Sequence, residues 1–317
     1  MAANTRVAVG GRAGCGRRTV SRALRAAGVE VVAPEVPHDV DVYVLAETAK
    51  PEDLAVLTAP LRPCVAVLNK ADLTGFGGQG PVAAAAERCR QLQDAIGSPV
   101  LPLAGLAALA ALDGSVLDQS AMQALQTLTT EPADLSCTDG FVTGEHPVPA
   151  HVRARLLAGL DLFGIAHAVR ALRDGADRAG VMAALRHASA VDGLLTAIHR
   201  LSAAARYRRL VSGLAADSLG NDTVLAARMA AAIEVVEADG MHVDRTLTEQ
   251  ALLRRARDWQ RYSRGPVSRL HQSCGSDIVR GSLRLWERAG GVPEPPEPQG
   301  RRHRTPEPQG RRHRALP

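Results

Sequence analysis

The apolar positions of this chain follow two rhythms. In the first third they come in short runs bounded by glycine, proline or charge, the pattern of strands buried in a parallel sheet. Val7-Ala8-Val9, Val29-Glu30-Val31-Val32, Asp39 to Ala46 and Cys64 to Leu68 are such runs. Asp39 to Ala46 alternates at first and then turns continuously apolar. Between the runs, Val20 to Ala27 reads as a helix stopped by Gly28, and another helix starts at Pro51 with Glu52 and Asp53 in its first turn. From His151 almost to Gly290 the rhythm is helical, with Leu156, Leu160, Ile165, Val169 and Leu172 in recurrence. Glycines at 175, 180, 193, 213, 220, 240, 265 and 275 punctuate that half into about six helices. The expected fold class is therefore α/β followed by all-α.

Boundaries follow from the same pattern. Residues 1–125 form the α/β part, and 126–150, rich in Thr, Pro and Asp, reads as a linker or strapping loop. Residues 151–290 form the helical domain. In the tail, 291–317, Pro296 to Arg304 returns ten residues later as Pro306 to Arg314. With almost no apolar side chains it cannot offset its ordering entropy, so a disordered basic tail is expected.

Composition narrows the setting. Aromatics are 3% of the 317 residues while hydrophobic residues are 46%, so the cores must be built from Ala, Leu and Val. The five cysteines are scattered without metal-ligand spacing, and no apolar run approaches membrane-spanning length. A cytoplasmic protein without a transmembrane segment is expected. Residues 1–150 carry 11 Lys+Arg against 16 Asp+Glu, whereas residues 151–290 carry 21 against 14. The Arg clusters at 206–209, 254–257 and 261–264, with the tail, suit an anionic partner such as nucleic acid, a membrane surface or the acidic first half. Solvated helical faces would look the same.

Candidate chemistry begins near the N-terminus. Val7-Ala8-Val9 runs into Gly10-Gly11-Arg12-Ala13-Gly14-Cys15-Gly16-Arg17-Arg18-Thr19 and then a helix. Glycines in such a turn let successive N–H groups converge at a helix N-terminus, where the dipole favours anions. Gly11 and Gly16 have the spacing of the phosphate-loop template. The template's Lys and Ser/Thr are replaced by Arg17 and Arg18, with Thr19 one place late. Gly11, Gly14, Cys15, Gly16, Arg17, Arg18 and Thr19 are the candidate phosphate-side residues, and Thr19 is the one candidate ligand for Mg²⁺.

The second anchor is Asn69-Lys70-Ala71-Asp72, directly after an apolar strand. Only two lysines occur in the chain, Lys50 and Lys70, and one falls here. Together with the glycine loop, this tetrapeptide resembles the NKxD element of P-loop GTPases. The resemblance covers about residues 5–125, and the long helical extension is similar to bacterial GTPases, distantly to dynamin-like ones. It implies a reduced GTPase-like parallel sheet that binds GTP or GDP. Asp72 would accept two hydrogen bonds from guanine, while Asn69 and Lys70 would hold the loop. Gly97 to Leu106 looks like the last strand of such a domain and the loop after it, where Ala104 would offer its N–H to the guanine O6.

Between Thr19 and Asn69 there is neither a DxxG element nor a switch threonine before one. Without them the γ-phosphate has no ordered switch and Mg²⁺ lacks an aspartate behind it. The expectation is a guanine-nucleotide-binding regulatory protein with weak or no GTP hydrolysis, no identified catalytic residue, and a helical domain that engages a protein partner. The alternative is a non-enzymatic scaffold on the same fold. An ATP-dependent kinase or transferase would not need the guanine element.

Overall fold

The computed structural model describes residues 5–75, 80–213 and 222–290. Five strands, β1 (Arg6–Gly11), β2 (Glu30–Val32), β3 (Val40–Ala46), β4 (Cys64–Asn69) and β5 (Val100–Leu103), pair in parallel in the order β2-β1-β3-β4-β5. Their alternation sorts the two faces. Val40, Val42, Val44, Val65 and Val67 meet α1 (Arg17–Ala26), α4 (Gly105–Leu112) and part of α9 (Val191–Ser212). On the other face Leu45, Ala66, Leu68 and Val100 meet α2 (Pro51–Leu57) and α3 (Pro81–Ile96). All six residues of β4 are buried, as a central strand covered on both sides requires.

The remaining helices are α5 (Gln119–Thr130), α6 (Thr138–Thr143), α7 (Ala150–Arg173), α8 (Arg178–Ala188), α10 (Asp222–Ala238), α11 (Glu249–Arg264) and α12 (Arg269–Arg288). Six helices therefore follow residue 149 among the described residues, and α/β followed by helical is the architecture. No single helix among the described residues is long and apolar enough to cross a membrane.

Two expectations from sequence need correction. Residues 126–150 are not a plain linker: they hold the end of α5 and all of α6, and Phe141 is fully buried. Phe141 shares a core with Ala104, Leu125, Leu160 and Leu185, so packing runs continuously from the loop after β5 into α8. Glycines 180, 193 and 275 lie inside helices rather than ending them. At Gly275 an added Cβ would come within 2.8 Å of Ser263 Cβ, so this glycine lets α12 lie against α11. Gly220 and the repeat tail, 291–317, lie outside the described residues.

Helix α9 ties the halves together. It has 22 residues, about 33 Å of helix, and its two ends serve different cores. Leu194 and Ile198 pack on the sheet, whereas Ala203 and Tyr207 enter the core of α10–α12. Beside that second core, Arg209 reaches Asp39 at 2.5 Å and an Arg206 Nη donates to Glu234 at 2.9 Å. Arg255 is buried and donates to Ser282 Oγ and the Asp244 carbonyl. The Arg clusters are thus not uniform basic faces: Arg206 is half-buried and Arg255 buried, while Arg208, Arg209, Arg254, Arg257, Arg261 and Arg264 are exposed.

The bundle is pinned by Asp277, which is buried and accepts from Tyr207 Oη at 2.8 Å and Arg228 Nε at 3.0 Å. Removing the carboxylate strands a largely buried guanidinium, while removing only the hydroxyl forfeits one hydrogen bond. Asp277→Ala is expected to cost about 3 kcal/mol and Tyr207→Phe about 1 kcal/mol in urea unfolding.

Candidate functional site

The order of the sheet reverses at β1: the chain goes to one side for β2 and to the other for β3. In open parallel sheets the crevice beyond the carboxyl ends of the strands at such a reversal is where ligands bind. The glycine loop, the Asn69–Asp72 segment and the residues after β5 all emerge at that edge.

Gly11 ends β1 at φ 127, where a Cβ would collide with the Val44 carbonyl of β3. Gly14 and Gly16 also have positive φ, and Gly16 caps α1. Helix α1 has no side-chain cap, so the N–H groups of its first turn face the loop unclaimed by a side chain. Arg17 and Arg18, its first two residues, are exposed. The loop is braced from within and from behind. The Cys15 thiol donates to the Arg12 carbonyl at 2.8 Å. Arg12 Nε lies 3.0 and 2.9 Å from the two oxygens of buried Asp53, which also accepts from Tyr43 Oη and the Lys50 N–H. Burial, then the Asp53 carboxylate, pushes the Tyr43 hydroxyl up to about 12, so it remains a donor.

Asn69 connects this loop to the far side of the edge. It is buried at the last position of β4. Its Nδ2 donates to the Cys15 carbonyl at 2.9 Å, and its Oδ1 accepts from the Gly105 N–H at 3.1 Å. A Cβ at Gly16 or at Gly105 would strike the Asn69 amide, so both neighbours must be glycine for the bridge to form. Sequence reading assigned Asn69 to holding the loop; Gly105 was not singled out, and only its spatial nearness to Asn69 reveals it.

Beyond Asn69 the chain turns through Lys70, exposed at φ 60, into a single 3₁₀ turn, Ala71–Leu73, that carries Asp72. Asp72 is half-buried, and its carboxyl is held above the usual carboxylate range by burial and by the charge of Asp161 on α7, with Lys70 opposing. Asp161 itself breaks α7: its backbone sits at φ 58, ψ 172, and its carboxylate accepts from the Leu162 N–H at 2.7 Å. Such a conformation is nearly reserved for glycine.

Thr19 and Ala104 stand differently from their sequence roles. Thr19 lines a cavity of about 450 Å³ with Arg22, Leu106, Leu109 and Leu160, on the side where α1 faces α4 and α7. Ala104 is 1% exposed, and its N–H donates to the Ser189 carbonyl at 3.1 Å. That amide, expected to meet a ligand, is held by the turn between α8 and α9. The turn passes through Ala190 at φ 60. Among the described residues, the non-glycine residues at positive φ are Glu47, Lys70, Asp161 and Ala190. Glu47 follows β3, Lys70 follows β4, and Ala190 adjoins the carbonyl that takes Ala104. These three lie at one edge of the sheet, and backbone strain of this kind clusters at binding and switch regions.

The site thus has two unlike halves. The glycine loop and Arg17–Arg18 are open. The side of Asp72 and Ala104 is covered by α7 and the α8–α9 turn.

Asn69→Ala leaves a buried carbonyl and a buried N–H without partners and should cost about 2 kcal/mol in urea unfolding. Asp72 carries a linkage sign opposite to that of a salt-bridged carboxylate. Its folded value is raised, so the folded state binds the proton more tightly, and stability falls as pH rises from the unfolded value of about 3.9 through the folded one. Asp72→Asn should therefore raise the Tm at pH 7, with a gain that vanishes below about pH 3.

No protein-family model matches the chain, and neither the curated proteins nor the solved structures contain a match to it.

Proposed function

We propose that this chain is a guanine-nucleotide-binding regulatory protein of reduced P-loop GTPase type, with weak or no GTP hydrolysis. The observation that supports it best is the Asn69 bridge. One side chain holds the glycine loop through Cys15 and the β5–α4 junction through Gly105, three residues before the carboxylate of Asp72. A nucleotide spanning that edge would set its phosphates against the first-turn N–H groups of α1. Arg17 and Arg18 would supply charge there. Guanine would be read by Asp72 as a double acceptor, beside the exposed stem of Lys70.

Mg²⁺ bound to the phosphates would offset their charge, but Thr19, the hydroxyl expected to hold it, lines the cavity between α1, α4 and α7 with Arg22 and leucines, a lining that does not suit a cation. Hydrolysis is proposed to be weak because the segment between Thr19 and Asn69 supplies no DxxG carboxylate and no switch threonine. The helical half, joined to the sheet by α9, would carry the response to a protein partner. The exposed arginines of α11 suit an anionic surface on that partner or a nucleic acid. A cytoplasmic setting fits the free thiols of all five cysteines.

A specific observation favours the second reading, a scaffold on the same fold that binds no nucleotide. The Ala104 N–H is taken by Ser189, and Asp72 is half-buried, with burial and the charge of Asp161 both disfavouring its carboxylate.

Calorimetric titration with GDP, GTP and ATP, with and without Mg²⁺, separates the two. Guanine nucleotides are expected to bind, ATP to bind at least tenfold more weakly, and Asp72→Ala to remove the preference. No binding of any nucleotide at millimolar concentration would leave the scaffold.

A further inference from the structure

The arginines of the α10–α12 bundle fall into two groups. One group is neutralised within the bundle. Arg228 of α10 and Arg280 of α12 pair with Asp277, Arg284 and Arg288 of α12 pair with Asp222, and Arg245 pairs with Glu237. The other group sits on α11. Arg254, Arg257 and Arg264 have no ion pair among the described residues, and Arg261 has one, a 3.9 Å contact with Asp258. These four are exposed and stand three, four and three residues apart. At that spacing they share about 80° of arc along about 15 Å of helix. Their face lies opposite the buried one, which carries Leu252, Arg255, Ala256 and Trp259. Arg255 is no part of the stripe, since it reaches inward to Ser282 and the Asp244 carbonyl.

Among the helices, α11 packs chiefly against α12, so it stands at the outside of the bundle with its basic face outward. Like charges at three- and four-residue spacing oppose the helix that carries them, and no carboxylate is paired with three of the four. We infer that this face of α11 docks on double-stranded DNA, lying along the major groove and gripping backbone phosphates without reading sequence. Arginine holds a phosphate through two N–H groups at once. The major groove of B-form DNA admits a helix, whereas that of duplex RNA is too narrow. A lipid surface suits the face less well, because Leu252 and Trp259 are turned inward and the stripe itself is all cationic. The inference takes from the proposed function only that the helical half carries the partner surface, and it stands whether or not the sheet edge binds a nucleotide. The sequence after Gly290 carries six arginines against three glutamates, and Gly290 lies beside Glu249, the first residue of α11. The tail is therefore the rival source of any DNA affinity.

The test is fluorescence anisotropy of a labelled duplex of about 20 base pairs, titrated with the full chain over a range of salt and without nucleotide. Micromolar binding at about 100 mM salt is expected, equal for unrelated sequences. Changing Arg254, Arg257, Arg261 and Arg264 together to Gln should flatten the slope of log K against log salt by about 3.5 and weaken binding at least about a hundredfold. The same four changed to Lys should keep most of the affinity, which separates lost charge from lost fold. A full-chain variant with the same loss of charge in the tail, Arg301, Arg302, Arg311 and Arg312 to Gln, should stay within about tenfold of the unmodified chain.

Absence of duplex binding at about 100 µM protein in low salt overturns the inference. So does affinity that the α11 Gln variant keeps and the tail variant loses. Tighter binding to duplex RNA, to polyglutamate or to phosphatidylcholine vesicles with about one-third phosphatidylserine than to DNA also overturns it. A chain that holds the duplex through α11 yet binds no GDP or GTP supports this surface and sinks the nucleotide reading alone.

Discussion

The side-chain amide of Asn69 is the interaction on which the rest of this edge depends. An amide is the one short side chain with a donor and an acceptor on the same carbon, and both are used here, toward Cys15 and Gly105. Aspartate would keep the second contact and set a charge against the Cys15 carbonyl. Alanine would orphan two buried backbone groups. The bridge also dictates its surroundings, because Gly16 and Gly105 have no room for a Cβ beside it. Segments 53 residues apart at Gly16 and Asn69, and 36 apart at Asn69 and Gly105, are thereby held by one side chain.

That coupling extends into the helical half through packing rather than through a linker. The core containing Ala104 also contains Phe141, Leu160 and Leu185, so no seam separates the sheet from α5–α8. Helix α9 then carries the connection to α10–α12, with Tyr207 in their core and the Arg209–Asp39 pair beside it. The pair joins a mostly exposed Arg209 to a buried Asp39, which also accepts from the Arg6 N–H of β1 and so ties α9 to the start of the sheet.

Much of this was legible in the residues. The apolar runs located four strands, and the β4 run predicted where Asn69 would emerge, because a continuous apolar strand must end in a polar turn. The glycine turn and the start of α2 at Pro51 were readable for the same local reasons. What was hidden is long-range. The Ala104 amide looks free in sequence because its acceptor, Ser189, is 85 residues away. Asp161 sits in a run with unbroken helical periodicity, so nothing local announces a break. The 126–150 segment looked like a linker because Thr, Pro and Asp are frequent there, yet one Phe at 141 with a place in the core is enough to order it. Gly275 looked like a helix end since propensity sees only the cost of glycine, not the neighbour that needs the space.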